Sequence, residues 1–278
     1  MIEVRKAVIP AAGLGTRLSP LTRHMAKELL PIGGKPMIQH HLEMCMAGGI
    51  EEFCVIISPR KVQLKDFVTG EWTPPALPFE KDLRFYNRIK RCRVTFLTQL
   101  TPSGVADAVG LAKAFVGQDP FVCIMPDCIL FSDRPSIQQL LPAFQRHGTN
   151  VVGTILITGM ETRRFGNVGI LSTQDLDEEC FRITSLSGKT SEPLPVSPGK
   201  TICKGFGGGI YLPEYFDLIE EIHTRAGNEV DDVPIHQILV EQDRLLGVVL
   251  QGAAFDAGHP LGLRAAAHYV GRSGECIG

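Results

Sequence analysis

Residues 6–36 read KAVIPAAGLGTRLSPLTRHMAKELLPIGGKP. The apolar run Ala7-Val8-Ile9 predicts the first buried strand of an α/β domain. Pro10 stops it, having no N–H to give to a sheet ladder. Ala11-Ala12-Gly13-Leu14-Gly15-Thr16 follows, small throughout except for Leu14, so a ligand can approach the backbone closely. Successive free N–H groups in such a turn form an anion-binding concavity. Arg17 comes at once and Lys27 ten positions later. Bare amides, a guanidinium for paired contacts and an ammonium acting as a point charge suit a polyphosphate.

Downstream, Met37, Ile38, Leu42, Cys45 and Met46 have helical spacing, and Gly48-Gly49 supplies the stop. Residues 53–57 predict a second buried strand, which completes a right-handed βαβ unit. His40 and His41 fall inside the helix with no further ligand at metal spacing, so packing roles are expected. Residues 61–90, broken by Pro74, Pro75 and Pro78, predict an insertion at the strand ends or an oligomer contact. Further strands are expected at 94–97, 120–130 and 151–157. Helical spacing lies between them at 105–115 and at 137–147, the latter interrupted at Pro142. Strands alternating with helices predict a Rossmann-like, doubly wound α/β sheet. After Phe165 the texture changes to short antiparallel strands at 166–171 and 181–186, followed by a proline-rich loop at 188–200. Strands at 206–212 and 246–250, a loop at 253–258 and helices at 214–223, 233–241 and 261–269 complete the chain.

The 278 residues are 44% hydrophobic and 21% charged, with a formal charge of −2. That balance gives no basic surplus for releasing counterions from nucleic acid, so nucleic acid is not an expected partner. The eight cysteines include no CxxC pair and several sit in apolar runs, which predicts small buried residues in a reducing cytoplasm. No stretch approaches the ~18 apolar residues of a membrane-spanning helix, and no membrane association is expected.

Two acids stand out by placement. Asp127 follows a buried strand at the carboxyl edge, where open α/β sheets bind ligands. Asp256 lies in the small-residue stretch FDAGHPLG before the last helix. Each alone reads as a cap or turn aspartate. With Arg17 and Lys27 they make a site for a hard cation and a phosphate, since Mg²⁺ takes one or two carboxylates plus phosphate oxygens and water.

The opening stretch carries GxG, but Leu18 stands where the third glycine of a dinucleotide fingerprint belongs, and no GxxxxGK[ST] is present. The whole of it resembles the signature of the sugar-1-phosphate nucleotidyltransferases, GxGTR followed by a PKxxxP-like segment. VIPAAGLGTR in particular is similar to the bacterial UTP–glucose-1-phosphate uridylyltransferases. Ala26 replaces the proline before Lys27. The resemblance covers nearly the whole chain and implies one nucleotidyltransferase domain, 1–278, with a nucleotide-binding half at 1–160. The half at 161–278 would bind the sugar phosphate and add a small antiparallel extension to a mixed sheet. It implies that Ala12, Gly13, Gly15, Thr16, Gln99 and Gly104 bind the nucleotide, and that Asp127 and Asp256 hold Mg²⁺. Arg17 and Lys27 would neutralise phosphates. On the sugar side it points to Gly166 in FGNV, Gly208 at the glycine before the family's RY, and Glu229 in NEVDDVPI. The family's EKP segment falls on Gly188-Lys189-Thr190, which keeps the phosphate-binding lysine, Lys189, and loses the glutamate; Glu192 is a nearby acid that could replace it.

The implied reaction is Mg²⁺-dependent nucleotidyl transfer from UTP to a sugar 1-phosphate, foremost glucose 1-phosphate, by a homodimer or homotetramer. A thymidylyltransferase, or a uridylyltransferase for another sugar phosphate, is the rival within the class. Outside it stand a non-catalytic nucleotide-sugar-binding protein, disfavoured by retention of both carboxylates and both cations, and a nicotinamide dehydrogenase, disfavoured by the missing third glycine.

Overall fold

The computed structural model describes residues 2–72, 83–158, 161–165, 169–188, 199–226 and 231–273. Its strands are β1 (Lys6–Pro10), β2 (Pro31–Ile32), β3 (Lys35–Pro36), β4 (Glu52–Ile57), β5 (Arg93–Thr98), β6 (Phe121–Ile124) and β7 (Cys128–Phe131). They continue as β8 (Asn150–Thr158), β9 (Leu171–Asp175), β10 (Phe181–Leu186), β11 (Thr201–Tyr211), β12 (Leu245–Val249) and β13 (Ala253–Asp256). The helices are α1 (Met37–Ala47), α2 (Val62–Thr69), α3 (Leu83–Ile89), α4 (Val105–Gly110), α5 (Lys113–Val116), α6 (Ser136–His147), α7 (Tyr215–Ala226), α8 (Val233–Glu241) and α9 (Pro260–Ser273).

Nine strands form one mixed sheet in the order β5-β4-β1-β6-β11-β8-β12-β10-β9. The pairs among β5, β4, β1 and β6 are parallel, whereas β11 runs antiparallel to both β6 and β8. Successive strand residues face opposite sides, and the core divides accordingly. Ile9 and Val55 join Ile38, Leu42, Phe67, Phe85 and Phe144 on one face. Val8, Cys54 and Ile56 join Val109, Phe216, Ile219 and Leu239 on the other. Strands buried on both sides explain why these runs are continuously apolar. The connection from β1 leads to β4 on one side, while β6 pairs on the other. The sheet therefore has its topological switch point at the carboxyl end of β1, where such sheets leave a crevice.

Several sequence expectations are corrected. Residues 120–130 form two strands rather than one. Cys128 N–H donates to Met125 O at 3.1 Å, a turn that contains Pro126 and Asp127. Residues 105–115 divide into α4 and α5, and 253–258 contain β13 where a loop was expected. Of the antiparallel strand expected at 166–171, residues 166–168 lie outside the described residues and β9 begins at Leu171, while β11 extends back to Thr201. Pro142 lies inside α6 without interrupting it. It cannot donate to the Gln138 carbonyl, which instead accepts Arg134 Nη2–H at 2.5 Å, so the orphaned acceptor is satisfied.

Burial pushes the thiols of Cys45, Cys54, Cys123 and Cys128 up, so they stay protonated and pack as small apolar groups. Cys180 lies beside His147 and Asp177. The Asp177 carboxylate accepts N–H bonds from Glu179 (2.8 Å) and Cys180 (2.9 Å), and Arg146 sits 3.1 Å away. This cluster closes the β9–β10 turn with its own cation.

Candidate active site

The site grows out of the loop after β1. Gly15 adopts a left-handed conformation (φ 68°, ψ 29°), and its carbonyl accepts the Thr22 hydroxyl at 2.8 Å, which closes the loop on itself. Leu18 is buried against Leu30, Ile32, Ile129 and Ala266. Burial of that side chain contributes roughly 1.5–3 kcal/mol and fixes its neighbour, Arg17, at the crevice. Beneath the loop, Lys61 Nζ lies 2.7 Å from Glu28 Oε2 and donates to Ala11 O at 2.6 Å. The two charged side chains are 7% and 0% exposed.

Arg17, Lys27, Asp127 and Asp256, which lie far apart in sequence, meet in one cluster. Lys27 Nζ donates to Asp127 Oδ2 at 2.7 Å. The Arg17 guanidinium lies 3.9 Å from Asp127 and 4.0 Å from Asp256. The carboxylates are brought together by pairing of β13 with β7, which sets Asp256 opposite Cys128, and by an Ala257 N–H bond to Asp127 O at 2.7 Å. Burial opposes ionisation of Asp127, but Lys27 and Arg17 outweigh it and hold the carboxyl at about 2. Burial likewise opposes the Lys27 charge, and Asp127 and Glu28 hold the ammonium above its usual range. His41 donates from Nε2 to Pro126 O at 3.0 Å. Its burial, with His40 beside it, lowers its pKa to about 4, so it supports the Asp127 turn as a neutral ring.

The donor set fits a hard divalent cation: two carboxylates, one firmly ionised, with a guanidinium and an ammonium alongside. Gly258 leaves the necessary room, since a Cβ there would stand 2.5 Å from Asp127 Oδ2.

A cavity of about 250 Å³ opens at the cluster, lined by Arg17, Asp127 and Asp256 and also by Val105, Lys204 and Gly208. Thr16, next to Arg17, lines a different cavity of about 410 Å³ with Arg23 and Arg60. Gln99, 7% exposed, donates from Nε2 to Gly104 O at 3.1 Å and to Asp107 Oδ2 at 2.7 Å. Gly104 has φ 102°, as an extended turn into α4 demands of a glycine. Ala12 is buried, and nothing lies within 4 Å of where a Gly13 Cβ would stand, so that backbone is open to a ligand. Gly208 (φ 113°) is required by packing, because a Cβ would run into the Cys123 carbonyl of β6. Gly166, Lys189, Glu192 and Glu229 lie outside the described residues. Lys61 and Lys204 carry no motif, and Glu28 fills a variable position of the PKxxxP-like segment; only their placement in the fold reveals them.

The sequence profile of the nucleotidyl transferase family matches residues 6–268. The UTP–glucose-1-phosphate uridylyltransferase of Bacillus subtilis (strain 168) is 28% identical over 269 residues, covering 94% of this chain and 89% of the relative. The protein of the same name from Streptococcus pneumoniae serotype 4 is 30% identical over 268 residues, covering 94% and 88%. A crystal structure of UDP-glucose pyrophosphorylase complexed with UDP-glucose is similar with a TM-score of 0.82 and 25% identity. That match covers 98% of this chain and 100% of the other.

Proposed function

The chain belongs to the nucleotidyl transferase family, and from that premise we propose that it transfers a uridylyl group from UTP to glucose 1-phosphate, releasing pyrophosphate. The observation that carries the reading is the convergence of Arg17, Lys27, Asp127 and Asp256 on one crevice at the sheet's switch point. The names of the relatives support the substrate pair.

The chemistry needs no general base. An oxygen of the sugar phosphate is already anionic and attacks the α-phosphorus in line with the departing pyrophosphate. Catalysis is then positioning and charge neutralisation. Arg17 neutralises the β- and γ-phosphates and Lys27 the α-phosphate, while Lys189 meets the incoming phosphate. Gly15 and Thr16 shape the loop around the nucleotide. Asp127 and Asp256 would hold Mg²⁺, which when bound neutralises charge on phosphate oxygens. Gly166, Gly208, Glu192 and Glu229 are assigned to the sugar, with 1–160 serving the nucleotide and 161–278 the acceptor. The chain acts in the cytoplasm as a homodimer or homotetramer; no described helix is long and apolar enough to cross a membrane.

Gln99 selects the base, with the Ala12, Gly13 and Gly104 backbone beside it. Its Nε2 is engaged by Gly104 and Asp107, so the atom left for the base is Oε1, an acceptor. Uracil offers N3–H there, whereas cytosine offers a lone pair. Gln99→Ala is expected to raise the UTP KM and to blur UTP against CTP by roughly 1–3 kcal/mol. Comparison of kcat/KM for the two nucleotides checks this, and unchanged discrimination would place base recognition elsewhere. Thymine carries the same N3–H, so Gln99 does not separate UTP from dTTP. Pyrophosphate release from UTP and dTTP with glucose, galactose and N-acetylglucosamine 1-phosphates tests the whole reading. UTP with glucose 1-phosphate is expected to give the highest kcat/KM; a higher value for another pair would reassign the substrates.

A further inference from the structure

The cavity at the cluster has two banks. The loop after β1 forms one, with Arg17. β11 forms the other, and β6, whose end leads to Asp127, lies between them in the sheet order. Lys204 comes from β11 and is the one lysine among the described lining residues. It enters a stretch otherwise cleared of side chains: nothing lies within 4 Å of where a Cβ would stand at Gly205 or at Gly207. The register of β11 against β8 shifts between Gly205 and Gly209, so this segment departs from regular pairing where it borders the cavity.

Lys204 has no carboxylate partner among the described residues; its Nζ donates to the carbonyl of Gly205 at 3.1 Å. Arg17 and Lys27 face Asp127 and Asp256, and Asp232 also lines the cavity. Lys204 is therefore an ammonium held by a backbone carbonyl rather than by a carboxylate among the described residues, in a partly enclosed cavity on the bank away from the nucleotide loop. An ammonium is a compact point charge suited to a phosphate.

We propose that Lys204 binds the phosphate of the sugar 1-phosphate acceptor. The inference rests on the reading of the site as a sugar-phosphate nucleotidyltransferase. Lys204 transfers no proton. The acceptor oxygen forms its bond to the α-phosphorus, the bond from that phosphorus to the bridging oxygen breaks, and the electron pair leaves on pyrophosphate. Lys204 offsets repulsion between the acceptor dianion and the triphosphate and fixes the line of attack. Because the phosphate is common to all sugar 1-phosphates, it raises affinity for each of them alike.

The test uses Lys204→Met, which keeps the alkyl stem and removes the charge, and Lys204→Arg, which restores it, each checked for an unchanged thermal melt. With pyrophosphate release as the readout, Lys204→Met is expected to raise the glucose 1-phosphate KM at least ~10-fold, the scale of a lost charge-assisted hydrogen bond. The galactose 1-phosphate KM should rise by the same factor and the UTP KM stay within about twofold, while Lys204→Arg recovers most of the loss. An unchanged glucose 1-phosphate KM in Lys204→Met, or an equal rise in the UTP KM, overturns the assignment. If the wild type forms no UDP-glucose, the proposed function fails by itself. Calorimetric titration of glucose 1-phosphate into the full chain then decides Lys204 independently. Binding weakened at least ~10-fold in Lys204→Met supports the role, and equal affinity overturns it.

Discussion

Asp127→Asn is expected to lower kcat for pyrophosphate release by at least ~10²-fold, the scale of a lost preorganised electrostatic contact. Asp127 accepts from Lys27 at 2.7 Å and stands 3.9 Å from Arg17, so its charge orients both cations assigned to the triphosphate. It is also one of the two oxygen donors assigned to the metal. The amide is nearly isosteric, but it removes the negative charge and turns one acceptor into a donor facing an ammonium. Lys27 would then be left with Glu28, away from the crevice. Because the carboxyl is ionised down to about pH 2, the loss should be uniform across neutral pH. Steady-state kinetics on protein with a wild-type thermal melt checks this; a variant within tenfold of wild type would remove Asp127 from the catalytic cluster.

The second large effect concerns stability. Glu28→Gln is expected to cost ~3–5 kcal/mol, because removing one member of a buried ion pair leaves the other uncompensated. Lys61 and Glu28 are almost wholly enclosed, and Lys61 also binds Ala11 O, so the pair ties the start of the GLGTR loop to the residue after Lys27. Burial drives the Lys61 pKa down against the pull of Glu28, and loss of the carboxylate removes the largest force opposing that. Replacing both residues with methionine should recover most of the stability, since apolar substitutes can equal a buried pair. Chemical denaturation of the two single variants and the double variant at neutral pH reads out all three values. A Glu28→Gln loss below ~1 kcal/mol would contradict a closed, charge-paired foundation under the loop.

What the sequence makes legible here is local. The β1-loop-α1-β4 unit is readable because apolar runs, small residues and the Gly48-Gly49 stop all lie within about fifty residues. Asp127 and Asp256 are readable as loop acids, but their meeting depends on β7 pairing with β13 across more than a hundred residues. The same distant partner makes β13 a strand where its composition suggests a loop. Pro142 looks like a helix breaker because nothing local announces that Arg134 will satisfy the Gln138 carbonyl. Lys61 and Glu28 belong to residue types that usually stay at the surface; only the tertiary fold encloses them together. Lys204 is a single lysine before a glycine, and its significance comes from the empty space that Gly205 and Gly207 leave around it.

Incubation of the purified chain with UTP, glucose 1-phosphate and Mg²⁺, followed by ³¹P nuclear magnetic resonance, tests the central claim most directly. The account predicts that UDP-glucose and pyrophosphate appear in equal amounts while both substrates decline together. It also predicts that neither product forms when glucose 1-phosphate is omitted. Persistence of both substrates, or conversion of UTP to UDP or UMP without UDP-glucose, would contradict it.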